Sequence, residues 1–276
     1  MNATNKLLII LTLFLSIHTT FGQNKEIDIN KLKTNEDVES FFRSFDKRYE
    51  VFELKSIGEF NSRRSKNNFC KRVSDSLGIT KSFYKSDFDN NGLTDILAIG
   101  NYYDFNILVA MNFGKDSIKL NRLTRRSFQN CVFPKIVNDS IINYYYQTQP
   151  NWNSKEKTKL TKKALVYKFG DFIEQNENPI ENKIEKIEFQ TSMCYGTCPK
   201  FQLIINKDGA AKFIAENYNR KTRKSKEIKG NFETTLKQNS FTEIIDLLNY
   251  INFPDLKENY AVSWTDDQTS TLKITY

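Results

Sequence analysis

The stretch Asp87-Phe-Asp89-Asn-Asn91-Gly92-Leu93-Thr-Asp95 sets oxygen-bearing side chains at alternate positions around a glycine. A loop so composed can wrap a hard cation such as Ca2+, which takes several oxygen ligands. Counting from Asp87, the ligand positions are Asp87, Asp89, Asn91 and Asp95. Leu93 would lend its backbone carbonyl, and Gly92 makes the sharp turn. An EF-hand needs a bidentate Glu at the twelfth position; here that residue is Ala98, and Ile96-Leu-Ala-Ile99 reads as a strand. Three carboxylates this close repel one another unless a cation lies between them. The expected site is structural and weak, on the order of 10⁻⁴ to 10⁻³ M. The competing reading is an Asx-rich hairpin turn holding no ion, because Asn-Gly is by itself a good turn.

Cysteine and histidine usage restricts what else the chain can do. Lys6 precedes an apolar-rich run, Leu7 to Ile17, followed by Thr19-Thr-Phe-Gly22, which reads as a secretory signal peptide over 1–22 cleaved near Gly22. The run is too short to span a bilayer. No Cys follows it, which excludes a lipid-anchored Cys at the new N-terminus. His18 is the only histidine and would leave with that segment. A mature chain without imidazole cannot run Ser-His-Asp or Cys-His chemistry, nor bind zinc through His. Export favours oxidation of Cys70, Cys131, Cys194 and Cys198. Three complete pairings are possible; the reading favours Cys194–Cys198 within one loop and Cys70–Cys131 within the first domain. The spacing Cys-x3-Cys is not that of a thioredoxin-like redox site.

The elements that must hold these residues are mostly strands. Thr34 or Asn35 can cap a helix with Val38, Phe41, Phe42, Phe45 and Tyr49 on one face. A short strand, Tyr49 to Leu54, and a basic loop at Arg63, Arg64 and Lys66 follow. Strands are predicted at 82–86, 95–100, 106–112, 117–123, 141–147 and 164–169, separated by turn signals such as Gly114-Lys-Asp116 and Gly170-Asp171. The polar, proline-containing stretch 174–183 reads as a linker. Beyond it come a strand from Ile187, a hairpin around Asp208-Gly209, a basic turn 219–226, a strand 227–233 and a helix capped by Ser240 and stopped by Pro254. Leu272, Ile274 and Tyr276 alternate with polar residues in a last strand, which predicts that the fold continues past Tyr276. The expected fold class is α+β: two small domains, 23–173 and 184–276, each an antiparallel sheet with one or two helices.

Two resemblances come from these motifs. Asp87 to Gly100, an Asp-x-Asp-x-Asn-Gly-x-x-Asp loop before an apolar strand, resembles one calcium loop of the FG-GAP repeats of integrin-like propellers. It occurs once, and a propeller needs several blades. The resemblance implies ligands at Asp87, Asp89, Asn91, Leu93 and Asp95. Cys194-Tyr-Gly196-Thr-Cys198-Pro199-Lys-Phe201, with the following strand, Asp208-Gly209 and a second strand, resembles a family of bacterial exported domains of unknown function. That likeness runs from about Ile184 to the end, through Gly230, Phe232, the Phe241–Ile251 helix and Trp264-Thr-Asp266, and it implies a domain but no particular function.

The charge balance bears on partners. With 41 Lys and Arg against 33 Asp and Glu, the net charge is +8, falling to +7 without Lys6. For an exported chain the anionic partners are envelope polymers and lipid head groups, or another exported protein, and not nucleic acid. Arg220, Lys221, Arg223, Lys224 and Lys226 form the densest basic cluster, with Lys155–Lys163 second; each reads as a solvated turn or as an anion contact. Tyr144-Tyr-Tyr146 reads as strand. Asp266-Asp267 could be half of a carboxylate pair. The leading expectation is a non-enzymatic exported binding protein, periplasmic or extracellular, that spans no membrane. The alternative is a histidine-independent hydrolase of envelope polymers.

Overall fold

A computed structural model describes residues 28–45, 47–60, 68–115, 117–124, 131–148, 159–260 and 266–276. The expected signal segment, the Arg63–Lys66 loop, the first part of the Lys155–Lys163 cluster, and Trp264 lie outside the described residues. The fold is α+β, with fourteen strands and three α-helices among the described residues, and every strand pairing given below is antiparallel. By its contacts the chain divides between Lys163 and Ala164, inside a strand, and each unit is described by itself.

In the first unit Thr34 caps α1 (Asn35–Phe45). Asp37 N donates to Thr34 Oγ1 (3.1 Å), and Thr34 N donates back to Asp37 Oδ2 (3.0 Å), a reciprocal cap that fixes where the helix starts. Its apolar stripe, Val38, Phe41 and Phe42, is buried. It packs with Ile29 and Phe52 on Ile96, Ala98, Leu108 and Ala110 of the sheet. That sheet comprises β1 (Glu53–Leu54), β2 (Phe83–Ser86), β3 (Asp95–Tyr102), β4 (Asp104–Asn112) and β5 (Ile118–Arg122). Its order is β1-β3-β4-β5, with β2 also paired to β3. β3 and β4 are buried on both faces, which explains why their sequences run apolar without alternation. β1 presses onto Gly100, where an added Cβ would meet the Phe52 ring at 2.6 Å and the Glu53 carbonyl.

The sequence predicted a strand over 49–54, but Lys47–Tyr49 is a 3-10 turn and only Glu53–Leu54 pairs. Three elements went unpredicted: α2 (Phe69–Leu77), β6 (Phe133–Val137) and β9 (Asp171–Glu174). Pro134 concealed β6, yet β6 stands at a sheet edge, where a missing N–H is tolerated. β6 forms a hairpin with β7 (Ile141–Thr148). Cys70 of α2 is joined to Cys131, just before β6, with Cα atoms 5.9 Å apart.

The second unit opens with the pairing of β8 (Lys159–Lys168, begun in the first unit) and β9. Its main sheet has the order β13-β12-β11-β10-β14, from β10 (Lys186–Thr191), β11 (Lys200–Asn206), β12 (Ala210–Asn217), β13 (Gly230–Thr235) and β14 (Ser270–Thr275). α3 (Gln238–Tyr250) contributes Leu248 to a core with Ile187, Ile205, Ala211 and Phe253. Its N-cap is Lys237, with no side-chain cap, where the sequence pointed to Ser240. The opposite sheet face carries cross-strand ion pairs, Lys200–Glu216 (2.5 Å) and Lys212–Glu233 (3.5 Å).

The stretch expected to be a linker lies within this unit. Asn176 N donates to Tyr250 Oη (2.9 Å), Ile180 N to Asn252 Oδ1 (2.9 Å) and Asn182 N to Asn249 Oδ1 (3.1 Å), all at the end of α3. Polarity and a proline made the segment look like a spacer; here its backbone amides are held by the side chains of Tyr250, Asn252 and Asn249, and Asn176 Nδ2 donates to the Tyr250 carbonyl.

Candidate metal centre

The loop between β2 and β3 is shaped by its own side chains. Asp87 accepts from Asn91 N (3.0 Å) and Gly92 N (2.8 Å), closing the turn, while Asn90 and Gly92 take left-handed φ of 57° and 81°. Asn91 Oδ1 accepts from Leu93 N (2.7 Å), an Asx turn within the larger one. Asn91 Nδ2 donates to Asp89 Oδ2 (3.1 Å) and to the Asn112 carbonyl (2.7 Å). Asp89 also accepts from Asn91 N at 3.3 Å.

Asp95, the first residue of β3, is fully buried. Phe88 N donates to its Oδ2 (2.7 Å) and Asn112 N to its Oδ1 (2.7 Å), so one carboxylate holds the loop to the end of β4. Asp87, Asp89 and Asp95 each bring a carboxylate oxygen within 4.8 Å of the others. Burial dominates Asp95, raising its pKa to about 6 against the two amide bonds that lower it; the charges of Asp89 and Asp87 add to the rise. Asp89 is also pushed up, first by burial and, among lesser causes, by the charge of Asp87.

The fold therefore converges the three predicted carboxylates. The Asn91 side-chain oxygen is turned to the Leu93 amide, and the Leu93 side chain lies exposed near Gly114. Asn112 was not foreseen. It serves the loop with its main-chain N–H and carbonyl, and its own Oδ1 accepts from Gly114 N (3.0 Å). Only the β3–β4 register, with Ile96 opposite Ala110, brings it there. The donor set is all oxygen, which suits Ca2+ or Mg2+ and not a thiolate-seeking metal. Two oxygens on one Ca2+, each at about 2.3–2.6 Å, can be up to about 5 Å apart. The observed spread fits within that limit.

The remaining candidates lie elsewhere. Cys194 and Cys198 form a disulfide (Cα–Cα 5.7 Å) in the β10–β11 loop, and no free cysteine exists among the described residues. Asp266 and Asp267 are exposed beside that loop.

Residues 185–276 match the family described as Domain of unknown function (DUF6438). The match covers β10 through β14, the disulfide loop and α3, and it names no function. It leaves the Asp87–Asp95 loop outside. No curated protein and no solved structure matches the chain. No helix among the described residues is long and apolar enough to cross a membrane.

Proposed function

We propose that the chain is an exported protein that acts by binding, and that Asp87, Asp89, Asn91, the Leu93 carbonyl and Asp95 hold a structural Ca2+ at the head of the β2–β3 hairpin. The convergence of three carboxylate oxygens within 4.8 Å, one of them on the fully buried Asp95, carries the reading. A cation there would offset both the mutual repulsion and the burial of charge. Both oxygens of Asp95 are engaged by main-chain amides, which suits a fastening better than a proton donor for a bound substrate. The apolar run after Lys6 and the two disulfides support export.

The test is thermal melting in EDTA and in millimolar Ca2+. Melting should rise with Ca2+ in the parent protein, and Asp89→Ala should remove that rise. Identical melting of the parent in both buffers sinks the metal centre.

A further inference from the structure

Three connections of the second unit leave the same end of its main sheet: the β10–β11 loop, the β12–β13 turn and the lead into β14. They are tied together. The buried Asn219 donates from Nδ2 to the carbonyls of Lys200 (2.7 Å) and Asn217 (3.1 Å). Gln268 Nε2 donates to the carbonyls of Ser192 (3.0 Å) and Pro199 (2.6 Å). The Cys194–Cys198 disulfide fixes the first loop, and at its tip Tyr195 is 91% exposed, with the adjacent Met193 52% exposed. In the neighbouring turn Arg220, Lys221, Arg223, Lys224 and Lys226 all face solvent. Lys221, Arg223, Lys224 and Lys226 make no ion pair among the described residues. Of the acids at this end, Glu216 pairs with Lys200 and Glu227 lies 3.5 Å from Lys229, while Asp266 and Asp267 are exposed beside the disulfide loop, where the Asp266 carbonyl accepts from Tyr195 N (3.4 Å); the five cations of the turn outnumber them.

We infer that this end of the second unit seats on an anionic phospholipid bilayer, the basic turn meeting head-group phosphates while Tyr195 and Met193 enter the interfacial layer. The inference rests on the reading that the protein acts by binding. A dissolved polyanion would need the cations alone. A ring and a thioether held out in water on a clamped tip gain only where polar and apolar media meet. Free cations beside them supply the attraction to the negative surface.

The experiment is flotation of the full mature protein with phosphatidylcholine vesicles, with and without phosphatidylglycerol, in EDTA and in Ca2+. Binding should require phosphatidylglycerol and vanish at high salt. Each cation near such a surface is worth about a fivefold change, so Lys221→Gln/Arg223→Gln/Lys224→Gln should weaken partitioning about a hundredfold. Tyr195→Ser should weaken it several-fold while melting stays unchanged. Absence of flotation, or flotation indifferent to the triple variant, overturns the inference. Capture by polyphosphate that Tyr195→Ser leaves intact overturns it too, in favour of a polyanion site. A protein that does not float but melts higher in Ca2+ leaves the metal centre standing without the membrane surface, whereas turnover of an envelope polymer would remove the binding reading itself.

Discussion

Asp95 is where three pieces of main chain meet, since its carboxylate receives Phe88 from the loop and Asn112 from β4 while its own backbone starts β3. Its titration sets a pH dependence with a definite sign. In the cation-free protein the folded pKa is about 6, above the ordinary 3.8, so the folded state holds the proton more tightly. The favourable contribution is complete below about pH 4 and is lost as pH rises through about 6, roughly 3 kcal/mol over that window. Denaturant melts in EDTA should therefore show stability falling between pH 4 and 7. Asp95→Asn should flatten that fall; an unchanged slope would remove Asp95 as its source. Millimolar Ca2+ should flatten it as well, because a bound cation favours the carboxylate. The acidic residues were legible from their spacing alone. The amides that hold them were not, because Asn112 reaches the loop through strand pairing between residues 17 apart.

Among the elements, those with a strong period were readable and those with a weak one were not. α1 announces itself through Val38, Phe41, Phe42 and Phe45. α2 offers only Phe69, Val73 and Leu77 among polar residues, and β9 is four residues long. Both are held by what they pack or pair with, and a single sequence does not display that. α2 gains a covalent hold instead. Cys70 and Cys131 are 61 residues apart, and closing a ring of that size is worth about 4 kcal/mol in the chain-entropy account. Cys194 and Cys198 are 4 apart, worth about 2 kcal/mol on the same account. Cys70→Ala/Cys131→Ala should consequently lower the denaturation midpoint more than Cys194→Ala/Cys198→Ala. Equal losses would mean that ring closure is not what the long disulfide supplies.

At the scale of the whole molecule, the matched family region begins at 185, but the contacts that steady its helix begin earlier. Asn176, Ile180 and Asn182 bond to the end of α3, and Lys168 lies 4.3 Å from the Tyr250 ring centroid. A fragment 164–276 should accordingly be more stable than 185–276 by roughly 3 kcal/mol, at about 1 kcal/mol per hydrogen bond. Equal chemical denaturation of the two would show those bonds to be idle. The Cys70–Cys131 ring has a reach beyond its own stability, since residues 87–95 lie inside it. Whatever narrows the wandering of that ring narrows the wandering of the three carboxylates. At the proposed cation site, thiol oxidation and ion binding would then be reciprocal: each would favour the other by the same factor. If the proposed Ca2+ binds there, the reduced chain should hold it more loosely than the oxidised one, a difference that calcium titration with and without a reductant would read.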